Sequence, residues 1–240
     1  MPITPLIHIT AAYSNAVLTA ILPHINNFAH KMDLPIPLPI TMNQVDHFNV
    51  SRMQGFVGGG LWLTNNYQFS FDNGYVNTFD LSKDNPFVDD DLYADLPHYF
   101  GKETINTNQA IEVARATLQK LGYNLKEIHA DLPPTSVEGG REVQGGFFPY
   151  CRIKWNREAT NEAEFLDTVY ITFQINLKDK TVIGMSMFGR KLQHENPKID
   201  VVPETEADYR KRMLSASTNA PINPSAAPKN LKNIDRQVFP

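Results

Sequence analysis

Seven histidines, one cysteine and a run of aspartates are the residues of this chain whose types could do chemistry. The histidines are His8, His24, His30, His47, His98, His129 and His194. Metal ligation from one helix face needs a His-x-x-x-His spacing, and a compact zinc knuckle needs Cys-x-x-Cys. Neither spacing occurs, so no metal and no cofactor is expected. A nucleophilic Cys151 would need an adjacent base and an electropositive niche. It instead alternates in phase with Ile153 and Trp155, which predicts a thiol facing the core. Asp89, Asp90 and Asp91 are consecutive, with Asp95 beyond and no central glycine. A calcium loop needs spaced oxygen ligands, so these acids read as a solvated linker. No catalytic residue is assigned.

Gly58, Gly59 and Gly60 are followed by neither Gly-Lys-Ser/Thr nor a helix, so they do not form a phosphate loop. They read as a flexible lead-in to a strand. Trp62, Tyr67, Phe69, Tyr75 and Phe79 form an aromatic meander. It is expected mainly as the inner face of a sheet, and any ring facing solvent would be a recognition platform. Asn49-Val50-Ser51 is a formal glycosylation sequon, meaningful only in a eukaryotic secretory pathway.

Composition sets the outer bounds. The 240 residues are 42% hydrophobic and 20% charged, ordinary for a globular chain that buries its own core. Lys plus Arg number 22 against 26 Asp plus Glu, a net charge of −4, which argues against nucleic acid as a partner. One cysteine excludes an intramolecular disulfide. No apolar run approaches the roughly 18 residues of a membrane span, so no membrane insertion is expected. The start Met-Pro-Ile-Thr-Pro lacks the features of a signal peptide. The expectation is a cytoplasmic protein, or a secreted or periplasmic one whose signal was removed.

The elements that must position these residues come in a repeated order. Leu18, Ile21, Ile25, Phe28 and Met32 repeat at three and four, predicting a helix over about 11–32. Pro23 predicts a kink or two short helices. The alternating prolines of Leu34 to Ile40 predict an extended connector. Val45 to Val50 reads as one short strand. A three-stranded meander follows, with a hairpin turn at Asp72-Asn73-Gly74. Residues 82–103 read as an acidic linker packed in part through Phe87, Leu92, Tyr93, Tyr99 and Phe100. Thr107 is expected to cap a second helix with Ile111, Ala114, Leu118 and Leu121 buried, and Gly122 to end it. The stretch to Gly146 reads as irregular. Tyr150 to Trp155, Val169 to Leu177 and Val182 to Phe188 then alternate as strands, the last two joined at Lys178-Asp179-Lys180. Glu206 to Met213 reads as a short helix, and Ser215 to Lys229 as a tail.

The helix from Thr107, the aromatic strand Tyr150-Cys-Arg-Ile-Lys-Trp155 and the hairpin Val169 to Met187 together resemble the PepSY-like modules of secreted bacterial proteins and protease propeptides. The resemblance covers just over a third of the chain. It implies a helix packed across an antiparallel sheet, as in cystatin-like folds. The Gly- and Pro-rich stretch between helix and first strand departs from that pattern. No protease domain follows within the chain, which speaks against a propeptide role in cis.

The expected fold is α+β, two helix-plus-antiparallel-sheet (cystatin-like) units in tandem, side by side or sharing one sheet. The units are 1–81 and 104–203, joined by the linker 82–103 and followed by a tail from 204 to 240. The expected function is a non-enzymatic binding module of an exported protein, engaging a protein partner through a sheet edge or loops. Val137, Glu138, Gly139, Gly140, Gly145 and Gly146 are the candidate surface. The rival is a hydrolase-type enzyme with Asp95 and His98 in a cleft between the units. A third reading is a small ligand held between helix and sheet.

Overall fold

The computed structural model describes residues 9–53, 56–81, 85–88, 96–143, 145–157, 168–189, 192 and 211. Residues Ile9–Val202 form one compact unit, and Met1–His8 group with Pro203–Pro240 in a second. Of that second unit only Lys211 is described, helical and exposed. The expectations for Glu206 to Met213 otherwise, and for Ser215 to Lys229, lie outside the described residues.

The fold is α+β. Helix α1 (Ala11–Lys31) precedes strands β1 (Val45–Met53), β2 (Phe56–Leu63), β3 (Tyr67–Asp72) and β4 (Tyr75–Leu81). Helix α2 (Thr107–Leu121) precedes β5 (Ser136–Val143), β6 (Gly146–Arg157), β7 (Val169–Asn176) and β8 (Thr181–Phe188). All eight strands lie in one antiparallel sheet of order β1-β2-β3-β4-β8-β7-β6-β5. The expected three-stranded meander plus a separate short strand is therefore a run of four paired strands.

Helix α1 is one continuous helix that runs through Pro23, so the expected alternative of two short helices does not hold. Thr10 Oγ1 accepts the Tyr13 N–H at 3.1 Å and caps its start. Tyr13, Val17, Leu18, Ile21, Leu22, Ile25, Phe28 and Ala29 are buried along one face. Pro23 and Thr19, whose carbonyl loses its ladder partner, are both exposed. Water can satisfy that carbonyl while the buried stripe keeps the helix continuous. Past the helix, the Asn26 side chain accepts the Ile40 N–H at 2.6 Å and donates to Ile40 O at 3.2 Å, tying down the proline-rich connector.

Helix α2 starts one residue earlier in its cap than expected. Asn106, not Thr107, is the N-cap, and it exchanges side-chain bonds with Gln109 at 3.0 Å in each direction. The amide carbonyl of Asn106 reaches the N3 N–H while Gln109 reaches back, so two orphan donors are satisfied at once. Gly122 ends the helix at φ 100, as expected. Ala110, Ala114 and Leu118 are fully buried; Ile111 and Leu121 pack at the margin.

Both helices and the inner faces of β1–β4 and β6–β8 share one core. An apolar row crosses all eight strands in register: Phe48, Leu61, Phe69, Phe79, Met185, Phe173, Ile153 and Val137. The aromatic meander is thereby divided. Tyr67, Phe69 and Phe79 are buried in the core, whereas Trp62 lies one position along the strand from Leu61 and belongs to the other face.

The glycines at 58–60 sit within β2 and are not a lead-in to it. A Cβ on Gly59 would lie 2.8 Å from Phe71 Cζ, and one on Gly60 2.6 Å from Trp62 Cη2. One aromatic ring on each face of the strand thus occupies the space that a side chain at Gly59 or Gly60 would need.

The stretch expected to be irregular before Tyr150 contains β5, which forms a hairpin with β6. Gly139 (φ 103) and Gly140 (φ 59) make a bulge in β5, where the register shifts between Gly139 and Arg141. Sequence alternation is broken there by the extra residue, so the strand pattern is hidden.

Phe79 is fully buried at the junction of the halves, where β4 meets β8. Phe79→Ala should cost about 3–5 kcal/mol. Urea unfolding followed by tryptophan emission and by far-UV circular dichroism should shift together, because Trp62 on β2 and Trp155 on β6 lie in opposite halves of one sheet. Separate transitions for the two probes would contradict a single cooperative unit.

Candidate functional site

The face of the sheet opposite the helices is polar in two complete rows. One row runs His47, Trp62, Gln68, Asp80, Gly184, Gln174, Arg152 and Glu138; the other runs Asn49, Gly60, Ser70, Thr78, Ser186, Thr172, Lys154 and Ser136. They flank the apolar row of the inner face, because successive side chains alternate across the sheet.

A second, smaller apolar cluster lies on this outer face. Tyr99, Phe148, Tyr150 and Ile183 form it, with Phe87, Leu96 and Val143 against it. The expectation that residues 82–103 pack through Phe87 and Tyr99 is met by this cluster; Leu92 and Tyr93 lie outside the described residues. The chain after β4 thus returns across the outer face. Asn85 is fully buried there. Its Nδ2 donates to Gln174 Oε1 at 2.5 Å and, more weakly, to Asp80 Oδ1 at 3.5 Å, while its Oδ1 accepts the Phe87 N–H at 3.0 Å. Gly184 lies between these groups, and a Cβ on it would come within 3.0 Å of Asn85 Nδ2. The Arg152 guanidinium stacks 4.5 Å above the Phe87 ring.

Burial pushes the Asp80 carboxyl up from 3.8 to about 7, with Arg152 pulling the other way. This is the one carboxylate among the described residues brought near neutrality, and its partners are amides, not an imidazole. It clasps the returning chain to the sheet. No nucleophile accompanies it among its described hydrogen-bond partners.

The sequence-derived candidates are dispersed. Val137, Glu138, Gly139 and Gly140 lie on β5, the outermost strand. Val137 ends the inner apolar row and is 39% exposed. Glu138 bonds Lys154 at 2.9 Å and sits 4.0 Å from Arg152. The Lys154 ammonium holds the Glu138 carboxyl below its usual range. Gly140 is wedged between Leu177 and Thr107 side chains, and Gly146 lies against Phe100. Gly145 is exposed in the β5–β6 turn at φ 95. These glycines serve backbone geometry, and the surface the strand presents comes from Val137, Glu138, Arg141 and Glu142.

His98 is exposed on a short 3-10 turn, edge-on to Tyr99 at 5.2 Å. Asp95, like Asp89, Asp90 and Asp91, lies outside the described residues. Cys151 is buried, as its phase requires, and burial pushes its thiol up to about 12. Among the described residues no group of three or more His, Cys, Asp or Glu is placed to hold a metal ion. No described helix is long and apolar enough to cross a membrane.

Two features escaped sequence reasoning. One is the clasp of Asp80, Asn85, Gln174 and Gly184, whose members are far apart in the chain. The other is a cavity of about 200 Å³ at the end of β6, floored by Trp155 and walled by Ile128, Leu132 and Pro133. His129 borders it in a left-handed conformation (φ 58), its Nε2 2.8 Å from Arg157 Nη1. The Trp155 indole donates to Leu132 O at 3.0 Å.

No family model, curated protein or solved structure matches the chain.

Asp80 yields a pH prediction. Its folded pKa lies above the unfolded value, so its stabilising contribution is full below about pH 4 and is lost as pH rises to about 7. Asp80→Asn keeps the acceptor for Asn85 and removes the charge. The stability difference between variant and wild type should grow in the variant's favour by about 2–4 kcal/mol from pH 4 to pH 8. Urea titrations at the two pH values measure it; a difference independent of pH would show that Asp80 is not so buried.

Proposed function

We propose that the protein is a non-catalytic binding module of an exported protein, built from two cystatin-like helix-plus-sheet units and related to PepSY-like modules. It engages a protein partner by strand addition at β5. The support for the exported, PepSY-like part is the pattern of helix, aromatic strand and hairpin from Thr107 to Met187. The support for strand addition is the position of β5 at the end of the sheet.

β5 is paired with β6 on one side. Among the described residues, none of its backbone groups bonds outside that pairing. Outward N–H and C=O groups on such a strand offer an incoming chain a ladder of hydrogen bonds. Val137 at the end of the inner apolar row adds an apolar contact for one side chain of the partner. The charges of Glu138, Arg141 and Glu142, with the bulge at Gly139, limit the paired stretch and oppose uncontrolled sheet growth.

A second reading is favoured by the cavity beside Trp155, which suits a small apolar carboxylate. Arg157 supplies the cation at its rim, and the apolar walls take the body of the ligand. A thermal shift with benzoate or indole-3-acetate that disappears in Arg157→Ala would favour this reading; no shift with either would remove it.

The strand-addition reading is tested with the full chain as bait. A captured partner should slow amide exchange over Ser136 to Val143. It should bind Val137→Asp at least tenfold more weakly and His98→Ala unchanged. A footprint elsewhere, or capture indifferent to Val137→Asp, would reject binding at this edge.

A further inference from the structure

Trp62 is the large aromatic of the meander that the outer face receives, and it is neither fully buried nor fully exposed there. We propose that its indole is the stacking platform of a second site, one that binds a neutral pyranose residue of an oligosaccharide. This surface lies on β1–β3, at the opposite end of the sheet from β5.

The platform is built. Gly60 and Trp62 are two apart on one strand and so share a face. Trp62 Cη2 and Cζ3 lie 2.6 and 2.7 Å from the point where a Cβ on Gly60 would stand. The six-membered ring therefore reaches back over Gly60 and fills the place a side chain would take there. His47, the partner of Trp62 across the β1–β2 pair, brings its ring to 5.0 Å, tilted by 54°. This braces the indole from the side of the outer strand.

The surround is neutral and rich in hydrogen-bonding groups. Asn49 Oδ1 accepts the Gly60 N–H at 2.7 Å, which fixes that amide with its Nδ2 end directed elsewhere. Gln68 stands opposite Trp62, and Ser70 opposite Gly60. Strands about 4.8 Å apart place these groups within reach of one or two sugar rings. Over β1–β4 the two outer rows contain no lysine or arginine among the described residues.

That combination selects the ligand class. A pyranose has a flat face of C–H groups and a rim of hydroxyls. The C–H face matches an indole, and the rim matches short amides and hydroxyls that both donate and accept. A nucleobase would also stack on the ring, but its phosphates would find no cation on these rows, and the chain carries a net charge of −4. An anionic glycan meets the same objection.

The test uses the full chain and three hexasaccharides: β-1,4-linked glucose, β-1,4-linked N-acetylglucosamine and α-1,4-linked glucose. Calorimetry and tryptophan emission are read together. Trp155 is buried and lines the other cavity, so only a ligand-induced change in emission that is lost in Trp62→Ala reports Trp62. At least one hexasaccharide should bind, with a Kd of about 1 mM or tighter. Trp62→Ala should weaken it tenfold or more, and Trp62→Phe should retain most of the affinity. Gly60→Ala should weaken it with the indole still present, because the new methyl lifts the ring from its seat. Melting temperatures check that each variant is folded. No binding by any of the three at about 10 mM would overturn the proposal. So would affinity unchanged in folded Trp62→Ala, or a Trp62-dependent affinity confined to a dT10 oligonucleotide.

Discussion

The junction of β4 with β8 is the contact on which the rest of this structure depends. It comprises three residue pairs: Thr78 with Ser186, Phe79 with Met185, and Asp80 with Gly184. Every row that crosses the sheet passes through one of these pairs. Phe79 and Met185 continue the apolar row beneath both helices. Thr78 with Ser186, and Asp80 with Gly184, continue the two polar rows above. A slip of one residue at this seam would turn Phe79 to the polar face and Asp80 toward the helices. The short seam is thus held in register by burial on one side and by the Asn85 clasp on the other.

Glycine at a few positions is what allows flat side chains and crossing segments to sit on a crowded sheet. Gly59 and Gly60 leave room for the Phe71 and Trp62 rings on opposite faces of β2. Gly184 opens the outer face where Asn85 and the Asp80 and Gln174 side chains converge. Gly139 and Gly140 supply the positive φ of the β5 bulge, which breaks the regularity of an edge strand. In each case the need is set by a neighbour distant in sequence. A run of glycines reads locally as flexibility for that reason, while the folded chain uses it for close approach.

Much of the framework was legible in the chain. The buried stripe of α1, the alternation of β7 and β8, the Gly122 cap and the inward thiol of Cys151 follow from periodicity, which is a local property. The pairing of β1 into the meander, the hidden β5 and the continuity of α1 through Pro23 share a cause. Each depended on what lies across from the segment: a paired strand, a bulge, or solvent able to satisfy the Thr19 carbonyl. The candidate surface was legible in part. Val137 and Glu138 do lie on an edge strand, and the adjacent glycines supply its bend.

The sequence by itself determined which side chains of each element turn inward, since helical and strand periods assign faces before any contact is made. It also set the absence of a local metal motif and the isolation of the single thiol. Only the tertiary structure decided that eight strands form one sheet and that Trp62 lies on Gly60. It likewise decided that Asp80, Asn85 and Gln174 meet. The physical reason is that register and order across strands are fixed by pairings between residues far apart in the chain, and no local pattern encodes which strand will be the neighbour.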